Sequence, residues 1–445
     1  MTPTVHPLPW RDPLTAFAPL AAEDGAVLLD AATPADPRGR YAYVCAAPST
    51  VVRLRLGEAD PFAALAALLP PTVDTLPDLP PFQTGVVAVL GYELGGAVER
   101  LPSPRPDDLG LPDLWAARFD TLAAFDTAER RAWVISTAGP EAAAAFAARL
   151  GTEPPPPPVA VPAPARAERT RAAHEAAVAR TIAYIGAGDV FQANITQRFL
   201  AERPADLPAF DLYRRLRAAS PAPFAAFLNL GEGAAVASAS PERFLKLDAE
   251  GRVETRPIKG TRPRRADPAA DAAEAAALLA SAKDRAENLM IVDLLRNDIG
   301  RVCTVGSVRV PLLCGLESFA AVHHLVSVVE GRLAPGRTAV DLLRACFPGG
   351  SVTGAPKVRA MEIIAELEPA RRGPYCGAIA WLGADGAMDS SIVIRTLCLG
   401  ATGRIAAQAG GGIVSDSDPA AEYEESLTKA GALLRALAAE GPPPP

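Results

Sequence analysis

Five consecutive prolines, Pro154 to Pro158, constrain this chain more than any other stretch. Proline lacks an amide hydrogen and fixes φ, so neither a helix interior nor a central strand can run through them. The run lies inside Gly151–Arg166 and predicts an extended linker. The chain is thereby expected to divide into residues 1–150, a linker at 151–166 and a larger unit at 167–438. Residues 439–445, which end in four prolines, are expected to form a disordered tail. With 445 residues, 49% of them apolar and 21% charged, a large core is available and disorder of the whole chain is excluded.

Charge and cysteines narrow the class. Lys and Arg number 44 against 51 Asp and Glu, a net charge of −7, which speaks against a nucleic-acid partner and suits small-molecule work. No stretch reaches the ~18 uncharged apolar residues of a spanning helix, so no membrane role is expected. Met1 to Pro7 shows no basic region followed by an apolar run, and a cytoplasmic protein is expected. The six cysteines (Cys45, Cys303, Cys314, Cys346, Cys376, Cys398) include no C-x-x-C, so reduced buried thiols are expected rather than zinc or disulfides.

The first segment reads as strands at Gly85–Gly91 and Ala132–Ile135 and helices at Pro61–Leu69 and Pro140–Leu150, without a catalytic cluster. The second reads as a helix at Glu168–Gly186 and a strand at Asp189–Phe199. A hairpin, Phe224–Leu230 with Ala234–Ser238, follows around Gly231 to Gly233. One long helix is expected at Asp267–Asn297, a strand pair at Tyr375–Leu382 and Ser391–Leu399, and a last helix at Pro419–Leu437. Hairpin-ordered strands with helices between groups predict an α+β fold rather than a doubly wound parallel sheet.

Several polar residues break these patterns. Asp284 and Glu287, and Glu422 and Glu425, are each spaced by three, which puts both carboxylates on one helix face. Two such faces together would suit Mg²⁺; a solvated face with Glu425 paired to Lys429 fits the same spacing. Arg256 to Arg265 carries five positive charges and no negative one, so an anion would be drawn there unless it is a surface loop. Lys259 lies within it after Ile258, and a lysine in a partly apolar site can become a nucleophile. Gly349 to Lys357 and Gly410 to Gly412 could offer amides to a carboxylate, or be tight turns; the latter is expected to follow a strand. His324 lies in a strand-like run, as a structural or a functional group. Arg395 sits amid β-branched residues and needs an anionic partner, a carboxylate held bidentately being the natural one.

Five strings then carry a likeness. Ser240 to Phe244, Pro257 to Pro263, Asp293 to Asp298, Gly354 to Met361 and Gly410 to Pro419 resemble the chorismate-utilising enzymes, in order over about 166–445. The resemblance implies an anthranilate synthase component I-like fold, antiparallel sheets packed as a sandwich with helices outside. It implies Mg²⁺ held by Glu287 and Glu425 with Asp284 and Glu422 beside them. Tyr375, Arg395 and the backbone of Gly410, Gly411 and Gly412 would take the enolpyruvyl carboxylate of chorismate, with Gly260, Thr261, Ser351, Lys429 and His324 near the substrate. Glu242 would be the acid that helps the ring hydroxyl leave, and His324 is grouped with it and Lys259 as catalytic.

The branch is also implied. Isochorismate-forming relatives carry a base lysine on the strand spelled here Phe191-Gln-Ala-Asn-Ile195, and this chain has none. Anthranilate synthases resemble Pro-Ile-Ala-Gly-Thr, whereas Pro257-Ile-Lys-Gly-Thr261 resembles the branch that forms 4-amino-4-deoxychorismate for 4-aminobenzoate and folate. The implied partners are a glutamine amidotransferase subunit that supplies ammonia and a separate aminodeoxychorismate lyase that consumes the product. Anthranilate formation stays as the alternative, and a non-catalytic anion-binding protein as a more distant one.

Overall fold

The computed structural model describes residues 2–33, 36–159, 163–318 and 322–438. The tail expected at 439–445 lies outside them, as do three residues of the linker, 160–162. Two antiparallel sheets, of twelve and ten strands, form the α+β frame. Val27, Tyr43 and Val236 of the larger sheet meet Val87, Trp115 and Ile379 of the smaller one in a shared core. Helices cover the outside; Ala430, Leu433 and Leu437 of the helix Pro419–Leu437 pack on Phe199, Ala407 and Ala409 of the larger sheet.

The linker divides the chain but not the sheets. Val27–Asp30 pairs with Phe224–Gly231 in the larger sheet, and Gly85–Leu90 pairs with Ala378–Gly383 in the smaller. Each sheet is therefore built from both sides of the proline run. This follows from burial: Gly85–Leu90 is buried at every position and has to be covered on both faces and both edges.

Local chemistry sets several boundaries differently from the sequence reading. The single helix expected at Asp267–Asn297 is two, Pro268–Ala280 and Ala282–Gly300. Ser281 between them leaves helical geometry at ψ 105°, and its hydroxyl accepts from the Asp284 amide at 3.2 Å, so it ends one helix and caps the next. The strand expected at Ser391–Leu399 is also two. Met388–Ile392 belongs to the smaller sheet and Thr396–Leu399 to the larger, and the chain crosses between them at Arg395, whose φ is +52°. The strand expected from Tyr375 begins at Ala378, leaving Tyr375 in the turn before it. Gly410 to Gly412 does not follow a strand; it lies inside one, Arg404–Ile413. All six cysteines are buried and unpaired, and no helix among the described residues is long and apolar enough to cross a membrane.

Candidate active site

The site is assembled where the two sheets exchange chain. Lys259 rides on Ile258–Pro263, an outer strand of the smaller sheet paired with Val322–Arg332. The ladder slips between Ile258 and Thr261, where Gly260 takes φ +78°. A Cβ there would meet Leu278 at 2.8 Å and Asp284 at 2.9 Å, so the two helices joined at Ser281 close tightly on this strand only because residue 260 is glycine.

Glu242 follows the strand Ala234–Ser240, and its backbone is fixed by Ile392, whose amide donates to its carbonyl at 3.1 Å. Burial raises its pKa, opposed by a hydrogen bond from Ser351 and by the charges of Lys259, Arg395 and Lys429. Burial lowers the pKa of Lys259, opposed by Glu287, Glu242 and Glu425 and assisted by Lys429. The causes of these shifts link Lys259 electrostatically to Glu242, Lys429, Glu287 and Glu425, and Glu242 to Ser351, Arg395 and Lys429. Among the described residues no carboxylate oxygen lies within 4 Å of the Lys259 amine.

Arg395 is in the same state. Burial lowers its pKa, Tyr375, Glu242 and Glu425 act on it from a distance, and no described carboxylate lies within 4 Å of it. Tyr375 is itself buried, and burial raises the pKa of its hydroxyl. Gly411 fits because a Cβ would lie 3.1 Å from Glu422 Oε2 and 3.4 Å from both Glu425 Oε1 and Lys429 Nζ. Lys429 Nζ donates to the Gly410 carbonyl at 2.9 Å and pairs with Glu425 at 2.5 Å, so the i,i+4 pair that the spacing allowed is formed.

The acidic residues divide. Burial raises the pKa of Glu287, with Asp284 and Glu422 adding to the rise, and burial and Glu425 raise that of Glu422. Mutually repelling carboxylates half removed from water are the arrangement a divalent cation relieves, so Glu287, Glu422 and Glu425 fit a hard cation. They do not form a closed protein cage: among the described residues no cluster of three or more ligating side chains is preassembled. Asp284 instead pairs with Arg262 at 3.2 Å.

Three of these segments gain detail. The basic run does not present its arginines to a ligand. Arg256 pairs with Glu317, Arg262 with Asp284, Arg264 with Asp271 and Arg265 with Glu274, and the like charge acting on Lys259 is Lys429. His324 stands opposite Thr261 and its Nδ1 lies 2.9 Å from the Thr261 hydroxyl. Burial pushes its pKa down to about 4, and the charges that reach it are Arg38 and Asp36 rather than those around Lys259. Lys357, at the end of the glycine-rich stretch, has its amine tied to Asp298 at 2.6 Å and to the Cys346 carbonyl at 2.8 Å.

Residues 26–435 match the chorismate binding enzyme family. The chain belongs to that family. It is 44% identical to aminodeoxychorismate synthase component 1 of Klebsiella aerogenes, over 98% of this chain and 99% of the relative. It is also 45% identical to anthranilate synthase component 1 of Streptomyces coelicolor, over 96% of this chain and 86% of that one. Among solved structures, anthranilate synthase component I of Streptococcus pneumoniae superposes with a TM-score of 0.79 at 34% identity, covering 89% of this chain and 92% of that one. Overall identity does not separate the two activities within the family, so any choice between them has to come from individual residues.

Two residues near the site escaped the sequence reading as participants. Gln192 is fully buried at the start of the strand Gln192–Glu202, and neither side-chain polar atom has a partner. Its amide lies where a Cβ on Gly412 would meet it at 2.7 Å. Arg372 is buried, paired with Glu368 at 2.8 Å, and donates to the carbonyls of Asn194 and Val352, locking the turn of Ser351 to that strand. The only trace in the sequence was polar residues beside apolar ones, and that does not tell a site wall from a surface.

Proposed function

We propose that this protein is the chorismate-transforming component of an aminodeoxychorismate synthase and forms 4-amino-4-deoxychorismate from chorismate and ammonia. The observation that carries the reading is Lys259: an enclosed amine with a lowered pKa and no described carboxylate within 4 Å, next to a Glu242 whose pKa is raised. The pair is matched to nucleophilic attack and acid catalysis near neutral pH. Arg395 and Tyr375, with Gly410 to Gly412, orient the enolpyruvyl carboxylate. The Lys259 amine forms a bond to ring C2 as the ring double bond shifts and the C4–O bond breaks. Glu242 gives its proton to the departing oxygen, which leaves as water. Ammonia then bonds to C4, the double bond shifts back, and the C2–N bond breaks to free Lys259. The enolpyruvyl ether survives, so a separate lyase is needed to release 4-aminobenzoate. Mg²⁺, where bound, would be held by Glu287, Glu422 and Glu425 and would neutralise the ring carboxylate.

Ammonia comes, in this reading, from a glutamine amidotransferase subunit, in keeping with relatives named component 1. Reduced, buried cysteines suit a cytoplasmic setting. The Streptomyces coelicolor relative supports a second reading, anthranilate synthesis. Product identification from chorismate, ammonium and Mg²⁺, with and without added aminodeoxychorismate lyase, decides. Lyase-dependent 4-aminobenzoate is expected, and anthranilate as the main product overturns the first reading.

A further inference from the structure

Lys259 stands in a β-bulge. Ile258 pairs with Val326 and Thr261 with His324, so Lys259 and Gly260 together oppose one residue, Leu325. A bulge bends its strand, re-aims the side chain it carries and leaves a residue out of the ladder. The ladder alone therefore does not fix where the Lys259 amine points. A second bulge lies on the other edge of the same central strand, Val322–Arg332. Leu312 pairs with Val328 and Gly315 with Val326, so Leu313 and Cys314 together oppose Ser327. Cys314 takes φ +53° there.

Asn288 holds the central strand at both places. It is fully buried on the helix Ala282–Gly300, one residue after Glu287. Its Nδ2 donates to the carbonyl of Leu325, the residue opposite the first bulge, at 3.2 Å. Its Oδ1 accepts from the hydroxyl of Ser327, the residue opposite the second, at 2.5 Å, and from the Cys314 thiol at 3.8 Å. The Ser327 hydroxyl accepts in turn from the Cys314 amide at 2.8 Å. The Ser327 amide donates to the Pro257 carbonyl at 3.1 Å, two residues before Lys259. Beyond the bulge, the Thr261 hydroxyl lies 2.9 Å from His324 Nδ1. The strand of Lys259 is thus pinned on one side of the bulge through Ser327 and on the other through His324.

Holding a helix on a sheet does not require such a network. Replacing both partners of a buried hydrogen bond by apolar groups of the same shape is often neutral for stability. A satisfied polar network adds one thing that apolar packing lacks, a single defined register. Here the register joins the helix of Glu287 to the strand of Lys259. We propose that Asn288 and Ser327 are positioning residues for Lys259: they set the bulge that aims its amine and keep it at a fixed separation from the Glu287 carboxylate. The inference rests on the proposed reaction, in which that amine attacks ring C2. A nucleophile has to lie ~3–3.5 Å from the atom it attacks, and a misplacement of ~1 Å can cost ~10²-fold in rate. An amine displaced onto Glu287 would instead form an ion pair, as Lys357 does with Asp298.

The test uses the full chain at saturating Mg²⁺ and ammonium. Ser327→Ala, Ser327→Thr and Asn288→Ala are compared with the wild type for kcat and for KM of chorismate, with thermal unfolding alongside to count folded protein. Ser327→Ala keeps the amide that bonds to Pro257, so it is the variant that judges the proposal if Asn288→Ala does not fold. Expected in Ser327→Ala, per folded molecule, is a kcat lowered about tenfold or more with chorismate KM within about twofold of wild type, because aim is lost and binding is not. Ser327→Thr keeps the hydroxyl and should recover most of that loss. A wild-type kcat in Ser327→Ala overturns the proposal. So does a change confined to KM, or an equal loss in the alanine and threonine variants, which would assign the effect to packing. Lys259→Ala with undiminished synthesis overturns the proposed reaction instead; an inactive Lys259→Ala beside a fully active Ser327→Ala overturns the positioning role alone.

Discussion

Two half-hidden lysines of this chain have opposite surroundings. Lys357 sits against Asp298 at 2.6 Å and the Cys346 carbonyl at 2.8 Å, and its charge is matched on the spot. Lys259 is enclosed as deeply, yet its acidic neighbours Glu287, Glu242 and Glu425 act from beyond 4 Å and burial outweighs them. A cation removed from water and left unpaired gives up its proton more readily. The first arrangement fixes a helix to the core; the second, in the proposed reaction, readies an amine to attack. What separates the two lysines is one carboxylate at contact distance.

Removing the amines should have different consequences. Lys259→Ala should cut 4-amino-4-deoxychorismate formation by at least ~10³-fold, the scale of losing a covalent nucleophile. Chorismate binding should persist, because Arg395 is untouched. The variant restores the Pro-Ile-Ala-Gly-Thr string, so direct attack of ammonia at C2 can yield traces of an ortho-amino product. Product chromatography checks both outcomes, and full synthesis by the variant would show that Lys259 is no nucleophile.

Lys357→Met should instead strike stability. It strands the Asp298 carboxylate, which is almost fully buried and already has a raised pKa. Breaking one side of a buried pair costs ~3–5 kcal/mol, read by denaturant unfolding. An acid whose pKa is raised by folding stabilises the fold below its unfolded pKa and loses that contribution as pH rises through its folded pKa. The loss in Lys357→Met should therefore shrink on acidification and be largely repaired by Asp298→Asn. A stable Lys357→Met protein with impaired chorismate binding would reverse the contrast between the two lysines.

Arg395→Lys tests whether the enclosure holds a carboxylate. A guanidinium forks over a carboxylate through two bonds and an ammonium does not, so chorismate affinity should fall more than tenfold. Unchanged affinity would make Arg395 a strut of the sheet crossing. Glu287→Gln should raise the Mg²⁺ concentration needed for half activity about tenfold, the scale seen when metal-site groups are disturbed. An unaltered Mg²⁺ requirement would take Glu287 out of the site.

Much of this arrangement was legible in the chain. The final helix was readable to the residue, because Asp418 caps it and Pro419 opens it. The hairpin around Gly231 to Gly233 declared itself through its glycines. Less readable was anything decided by contact between distant segments. Arg395 looked central in one strand because its flanks are β-branched, yet it marks the passage between two sheets. The arginines flanking Lys259 looked like a ligand-binding patch because the carboxylates that neutralise them, Asp271, Glu274, Asp284 and Glu317, lie on other elements. Lys259 and Lys357 each follow a short apolar or glycine-rich run, and nothing local says that only one meets an aspartate.

The smallest expected effect sharpens the comparison most, because it asks what tunes the unpaired lysine. Lys429 is the like charge that helps lower the pKa of Lys259, and it also pairs with Glu425, whose charge works the other way. Lys429→Met removes the repulsion and frees the Glu425 charge to act, and both push the Lys259 pKa up. The reactive form is the neutral amine, so activity is gained as pH rises through that pKa. The acid limb of kcat/KM for chorismate should thus move to higher pH by about one unit or less, as for one charge at a part-solvated distance. In the proposed reaction the basic limb depends on protonated Glu242. Lys429 stabilises the ionised form of that group, so its loss should move this limb upward too. Measurements at constant free ammonia and saturating Mg²⁺ keep the titration of ammonium and the acidic helix faces out of the profile. An acid limb that stays in place would mean that burial alone, without Lys429, readies Lys259.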